Sequence, residues 1–186
     1  MNDAEILNLY WVRNEAAIGE TEQKYGSYCR AVARNILNNA QDEQECLNDT
    51  WLAAWNNIPP QKPALLKAYL GKIARRISLK KWRDRSALKR GGGEVALALD
   101  ELAECLPGGD SIETALDEAA LTQLMNRFLA GLAADERRVF IRRYWYLDSI
   151  SDTAARFGFS EGKVKSMLYR TRQRLMKRLK EEGVFE

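Results

Sequence analysis

Apolar residues along this chain recur at spacings of three and four, with polar and charged residues between them. No stretch alternates apolar and polar positions long enough to predict a half-buried strand. The pattern predicts helices over 3–18, 21–38, 42–57 and 64–83, then over 113–131, 135–146, 150–157 and 161–180. In the second of these, Tyr25, Tyr28, Val32 and Ile36 form one apolar stripe. In the third, which Asp42 can cap, Leu47, Thr50, Trp51, Ala54 and Trp55 face one way, and Asp42, Glu45, Asn48 and Asp49 another. The fourth sets Leu66, Leu70, Ile73 and Ile77 opposite a basic side that includes Lys72, Arg76, Lys80 and Arg83. Three prolines make 58–63 a loop, because proline removes a helix donor and clashes with the preceding turn. The expected fold class is all-α: two small helical domains joined by a flexible linker, the C-terminal one containing a helix-turn-helix. The domains span 1–84 and 113–186. The linker, 85–112, is punctuated by Gly91-Gly92-Gly93 and Pro107-Gly108-Gly109, with a short helix expected over EVALALDELAEC.

The turn between 150–157 and 161–180 carries the most local information. Gly158 suits the left-handed residue that ends a helix, and Ser160 suits the cap of the next. A second helix entered through so short a turn is a helix-turn-helix signature. Val164, Leu168 and Leu175 then point inward. Lys163, Lys165, Ser166, Tyr169, Arg170 and Arg174 face outward, a set that suits phosphates and base edges in a major groove.

Charge strengthens this picture. The net charge of +3 over 186 residues hides segregation. Residues 62–93 hold 11 basic against 1 acidic, and residues 137–180 hold 13 against 3. Between them, residues 94–136 hold 1 basic against 10 acidic. Two basic blocks split by an acidic one predict two surfaces for a polyanion.

Composition removes other classes. The chain has no histidine, so Ser-His-Asp and Cys-His nucleophiles, HExxH zinc sites and Cys2His2 fingers are excluded. Cys29, Cys46 and Cys105 are too few and too scattered for a four-thiolate zinc site, and an odd count fits a reducing cytoplasm. Asp42, Glu45 and Asp49 share one helix face, but no second acidic helix completes a metal shell, so no metal or other cofactor is expected. No apolar run approaches a membrane span, and the acidic N-terminus has no apolar core of a secretory signal, so the expected location is cytoplasmic without membrane insertion.

Three segments together resemble a family. DEQECLNDTWLAAW (42–55), YLGKIARRISLKKWR (69–83) and LAADERRVFIRRYWYLDSISDTAARFGFSEGKVKSMLYRTRQRL (132–175) are similar, in order and spacing, to motifs of bacterial RNA polymerase sigma factors of the sigma-70 class. The lack of a long N-terminal region and of a middle domain points to the small extracytoplasmic-function group. The resemblance implies a non-enzymatic initiation factor that directs core RNA polymerase to promoters. Asp42, Glu45, Asn48, Asp49 and Trp51 would bind the clamp helices of the largest catalytic subunit, and the C-terminal domain the flap. Lys72, Arg75, Arg76, Lys80 and Arg83, with the proline loop, would bind the −10 element and help melting, with Tyr69 and Trp82 as stacking groups unless Trp82 is core. Arg137, Lys163, Lys165, Ser166, Tyr169 and Arg170 would bind the −35 element. Arg76 stands where the family usually has Asn, and Lys80 where it has Asp or Asn, so the −10 preference is expected to be either unusual or more backbone-driven. The linker would let the domains close on each other or on an anti-sigma protein, with Asp100, Glu101 and Glu104 assisting or threading a positive channel. The alternative is a free-standing helix-turn-helix repressor or activator, which leaves the acidic third helix unexplained. A metal-dependent nuclease is a third reading.

Overall fold

A computed structural model describes residues 1–86, 93–105 and 118–183. Its ordered elements are all helices, with no strand among the described residues. The chain divides into two compact units, Met1–Gly91 and Gly92–Glu186.

The first unit contains α1 (Asp3–Trp11), α2 (Ala16–Leu37), α3 (Ala40–Asn57) and α4 (Leu66–Ser86). The helix expected over 3–18 is broken. Arg13 takes a left-handed φ of 55°, and the Asn14 side chain accepts from the Ala16 amide at 3.0 Å, which starts α2 five residues earlier than the stripe suggested. Asp42 is not the cap of α3. Asn39 is, its side chain accepting from the amides of Gln41 and Asp42 at 3.0 and 3.1 Å. Asp42 falls in the first turn instead, where its charge complements the helix dipole.

Helices α2, α3 and α4 pack on one another, and α1 on α2. Their core gathers Ile6, Tyr10, Cys29, Leu47, Trp51, Leu66 and Leu70. Fully burying each leucine contributes about 1.5–3 kcal/mol. The Tyr10 hydroxyl is satisfied inside by Thr21 Oγ1 at 2.9 Å. Where α4 crosses α2, Gly71 lets the Tyr28 ring lie against the helix backbone. A Cβ at Gly71 would come within 2.9 Å of Tyr28 Cε1 and closer still to its hydroxyl. Alanine would add about 1 kcal/mol of helix propensity. It would also displace a ring on which Lys67 Nζ sits at 4.9 Å, and overpacking of this kind costs about 1–3 kcal/mol. Gly71→Ala is therefore expected to lower stability by about 1 kcal/mol, read as an earlier melting transition by circular dichroism.

The second unit contains α5 (Gly93–Ala103), α6 (Glu118–Ala130), α7 (Ala134–Tyr144), α8 (Ile150–Phe157) and α9 (Glu161–Glu181). Residues 113–117 of the expected 113–131 helix, and the Pro107-Gly108-Gly109 stretch, lie outside the described residues. The core joins Val139, Phe140, Leu147, Val164, Leu168, Leu175 and Leu179. Phe140 meets Phe128 and Tyr144 edge to face, with ring centroids at 6.1 and 4.6 Å.

The short helix expected inside the linker is α5, and it packs on α7 within this second unit. Val95, Ala98 and Cys105 are buried beneath it. Its carboxylates reach Arg143, which is only 1% exposed. Glu101 accepts from Arg143 Nη2 at 2.8 Å, from the Tyr144 hydroxyl at 2.9 Å and from Arg172 Nη1 at 3.3 Å. Glu94 accepts from Arg143 Nη1 at 2.8 Å, and the same nitrogen donates to the Asp148 carbonyl at 3.0 Å. Burial works against the charge of Glu101, but Arg143, Tyr144 and Arg172 outweigh it and hold its pKa below the ordinary value.

Candidate nucleic-acid interface

Local chemistry builds the C-terminal surface. Gly158 ends α8 with a left-handed φ of 66°. Ser160 starts α9 by accepting from the Lys163 amide at 3.2 Å. Thr153, Ala154, Val164 and Leu168 are buried between the two helices. Asp148, at the entrance to α8, takes both Arg142 Nε and Nη2, at 2.6 and 2.7 Å, which fixes the α7–α8 corner.

On the outer side of α9, Lys163, Lys165, Ser166, Tyr169 and Arg170 are all exposed. Lys163 Nζ lies 3.6 Å over the Phe159 ring. Lys165, Ser166, Tyr169 and Arg170 line one shallow depression. The next is lined by Glu136, Tyr169, Arg170, Gln173 and Arg174. Tyr169 is 57% exposed, and no core demand accounts for an aromatic there. Arg137, on α7, is half-buried. Cations, a hydroxyl and an aromatic over the first turns of one helix are the donors a DNA groove requires.

In the first unit, Lys72, Arg76, Lys80 and Arg83 are exposed along α4. Arg75 departs from its set. It is half-buried, and burial pushes its guanidinium below the usual value. Tyr69 is half-buried against the core and Trp82 is half-buried too. Leu65, placed inside the helix expected over 64–83, lies just before α4, which starts at Leu66, and is 71% exposed.

The acidic face of α3 differs from its expectation in two ways. Trp51 is not on it. The indole is 4% exposed in the core with Leu47 and Ala54, because its position repeats their inward phase. The carboxylates are also paired with α4. Lys81 Nζ lies 2.8 Å from Glu45 and 3.4 Å from Asp49, and Arg85 pairs with Asp42. Burial works against the Lys81 ammonium, but Glu45 and Asp49 more than offset it, so its pKa sits above the ordinary lysine value. The outward crest of α3 carries Glu45, Asn48 and Leu52, the last 57% exposed. Leu52 follows Asn48 by one turn, so an apolar residue in the polar phase was the signal that could have found it.

Among the described residues, no group of three or more His, Cys, Asp or Glu side chains is placed to hold a metal ion. All three cysteines are buried and free, and burial pushes the Cys29 thiol up to about 12. No helix among the described residues is long and apolar enough to cross a membrane.

Family models match a segment of each unit. Residues 23–88 match the family model described as Sigma-70 region 2, and residues 122–175 match Sigma-70, region 4. The chain is 31% identical over 151 residues to the RNA polymerase sigma-E factor of Streptomyces coelicolor, covering 79% of this chain and 77% of that one. The sigma-E factor of Streptomyces avermitilis is 29% identical over 151 residues, covering 79% and 76%. A solved chain described as the structure of CnrH in complex with the cytosolic domain of CnrY aligns with a TM-score of 0.44 at 19% identity, over 96% of this chain and 97% of that one. The region 2 match spans the paired α3 and α4, and the region 4 match includes α7, α8 and the first two thirds of α9. The chain thus belongs to the sigma-70 family of RNA polymerase sigma factors, in its extracytoplasmic-function group, and is a non-enzymatic initiation factor that recognises promoters.

Proposed function

We propose that the two units divide promoter recognition between them. The crest of α3, with Glu45, Asn48 and Asp49, docks on the clamp helices of the polymerase's largest catalytic subunit, and the second unit engages the flap. Lys72, Arg76, Lys80 and Arg83 of α4 follow the backbone of the −10 element, and the proline loop before α4 receives a base leaving the opening duplex. Lys163, Lys165, Ser166, Tyr169 and Arg170 of α9 enter the major groove of the −35 element, while Arg137 contacts its backbone. The reaction is set in the cytoplasm, where core polymerase and DNA are met together.

The observation that carries this reading is the exposed run of Lys163, Lys165, Ser166, Tyr169 and Arg170 on a helix whose opposite face is fully buried. The test is co-elution of the full chain with core bacterial RNA polymerase, for wild type and for a charge reversal of Asp42, Glu45 and Asp49. A melting scan of each alone checks the fold. Wild type is expected to co-elute, and the folded variant to elute free. A wild type that ignores core polymerase but binds a duplex tightly by itself would instead make the chain a free-standing regulator.

A further inference from the structure

The turn between α8 and α9 carries an aromatic pair, Phe157 and Phe159, that the scheme above leaves without a role. We propose that Phe159 is a positioning residue for DNA binding: its ring holds the Lys163 ammonium at the N-terminal edge of α9, set for a backbone phosphate of the −35 element rather than for a base edge. This rests on the placement of α9 in the −35 groove proposed above.

Lys163 stands where a lysine is disfavoured. It is the third residue of a 21-residue helix, inside the first turn, where the helix dipole repels a cation. Its amide is already engaged, donating to Ser160 Oγ at 3.2 Å. Side chains of a helix lean toward its N-terminus, which carries the lysine stem back over residue 159. Lys163 Nζ lies 3.6 Å from the centre of the Phe159 ring, well inside the reach of about 6 Å over which a ring face attracts a cation. An ammonium has three donors, and the ring takes up one side of it. Lys163 is exposed, so its other side faces water. A phosphate can replace that water without displacing the ring.

The ring is itself fixed. The Phe159 amide donates to the Ala154 carbonyl at 3.0 Å, and the Phe157 ring lies 6.1 Å away, tilted by 34°. Both rings are half-buried. Phe159 also precedes the Ser160 cap, where an apolar residue commonly packs against the fourth helical residue, here Val164. Leucine would meet that demand equally. What leucine lacks is a π face for the cation. A free lysine stem loses rotamer freedom when its ammonium meets a phosphate, and a stem already held loses less.

The test uses holoenzyme reconstituted from the full chain and core bacterial RNA polymerase. Its affinity is measured on duplexes that wild-type holoenzyme selects from a random-sequence pool, for wild type, F159L, F159Y, K163M and F159L/K163M. Melting scans verify that each variant is folded. K163M removes one phosphate contact, so it is expected to weaken binding about eightfold at about 0.1 M salt and to flatten the log–log salt slope by about 0.9. That loss should be uniform across the selected duplexes. F159L is expected to weaken binding about two- to fivefold, as loss of an exposed cation–π contact does, with F159Y at the wild-type level. In the K163M background, F159L is expected to change nothing. In the free chain, ring current should move the Lys163 methylene protons upfield in wild type and F159Y, and F159L should return them to ordinary values. An F159L loss that persists without the lysine would reduce Phe159 to packing and overturn the proposal. So would F159L binding at wild-type strength, ordinary methylene shifts in wild type, or a K163M loss confined to particular base pairs. Full-strength binding by K163M would remove Lys163 from the −35 contact, which is a failure of the underlying reading instead.

Discussion

Replacing Arg143 with methionine is expected to destabilise the second unit by about 3 kcal/mol. The guanidinium is 1% exposed and serves three acceptors, Glu94, Glu101 and the Asp148 carbonyl. Methionine fills much of the same volume, so the loss is mainly electrostatic. Removing one partner of a buried ion pair typically costs about 3–5 kcal/mol, because the other charge is left desolvated. Glu101 is part-exposed and keeps Arg172 and Tyr144, which sets the expectation at the lower end. Hydrogen exchange gives the sharper readout: amides of α5 should lose protection first, and those of α8 and α9 should retain theirs. The same network has a pH dependence of definite sign. Glu101 titrates lower in the fold than in the unfolded chain. Its contribution is therefore complete above the ordinary carboxylate value near 4.5 and is lost as pH falls through the folded value. Protection of α5 should be level through neutral pH and decline below about 4.5.

Trp51 separates two roles that are easily confused. As a core residue, Trp51→Ala should cost about 3–5 kcal/mol through the cavity it leaves, enough to unfold much of the first unit and remove polymerase binding with it. Trp51→Phe should cost only about 1 kcal/mol, because the Nε1 proton is buried without a hydrogen-bond partner and phenylalanine leaves nothing unsatisfied. A Phe variant that melts near wild type and co-elutes with polymerase would establish the core role. A Phe variant that is stable yet elutes free would return the indole to the docking surface.

The helix-turn-helix was legible because its signals are local: Gly158, Ser160 and the apolar spacing around them lie within one short stretch, and backbone chemistry decides each. The phase of α3 was legible too, and it placed Trp51 inward with Leu47 and Ala54. The family resemblance alone turned it outward. Two neighbouring cap-type residues, Asn38 and Asn39, outrank Asp42 at the start of α3, a choice that depends on where α2 stops. Pairing of Lys81 with Glu45 and Asp49 was hidden, because it depends on how two helices cross. The docking of α5 was hidden for a stronger reason. Its contacts join residues about forty to seventy positions apart, and an acidic segment between two basic blocks does not announce which one it will meet.

The position of α5 also decides where this protein should be cut. A fragment starting at 113, the boundary the glycine punctuation suggests, would be made without Glu94 and Glu101, and would present Arg143, Tyr144 and the apolar footprint of Val95 and Ala98 to water. Such a fragment should be sticky, prone to self-association and salt-dependent in its behaviour. One starting at Gly92, where the compact unit begins, carries its own cover and should be a well-behaved monomer. Affinities measured on the shorter piece would then report a surface that the intact chain keeps closed.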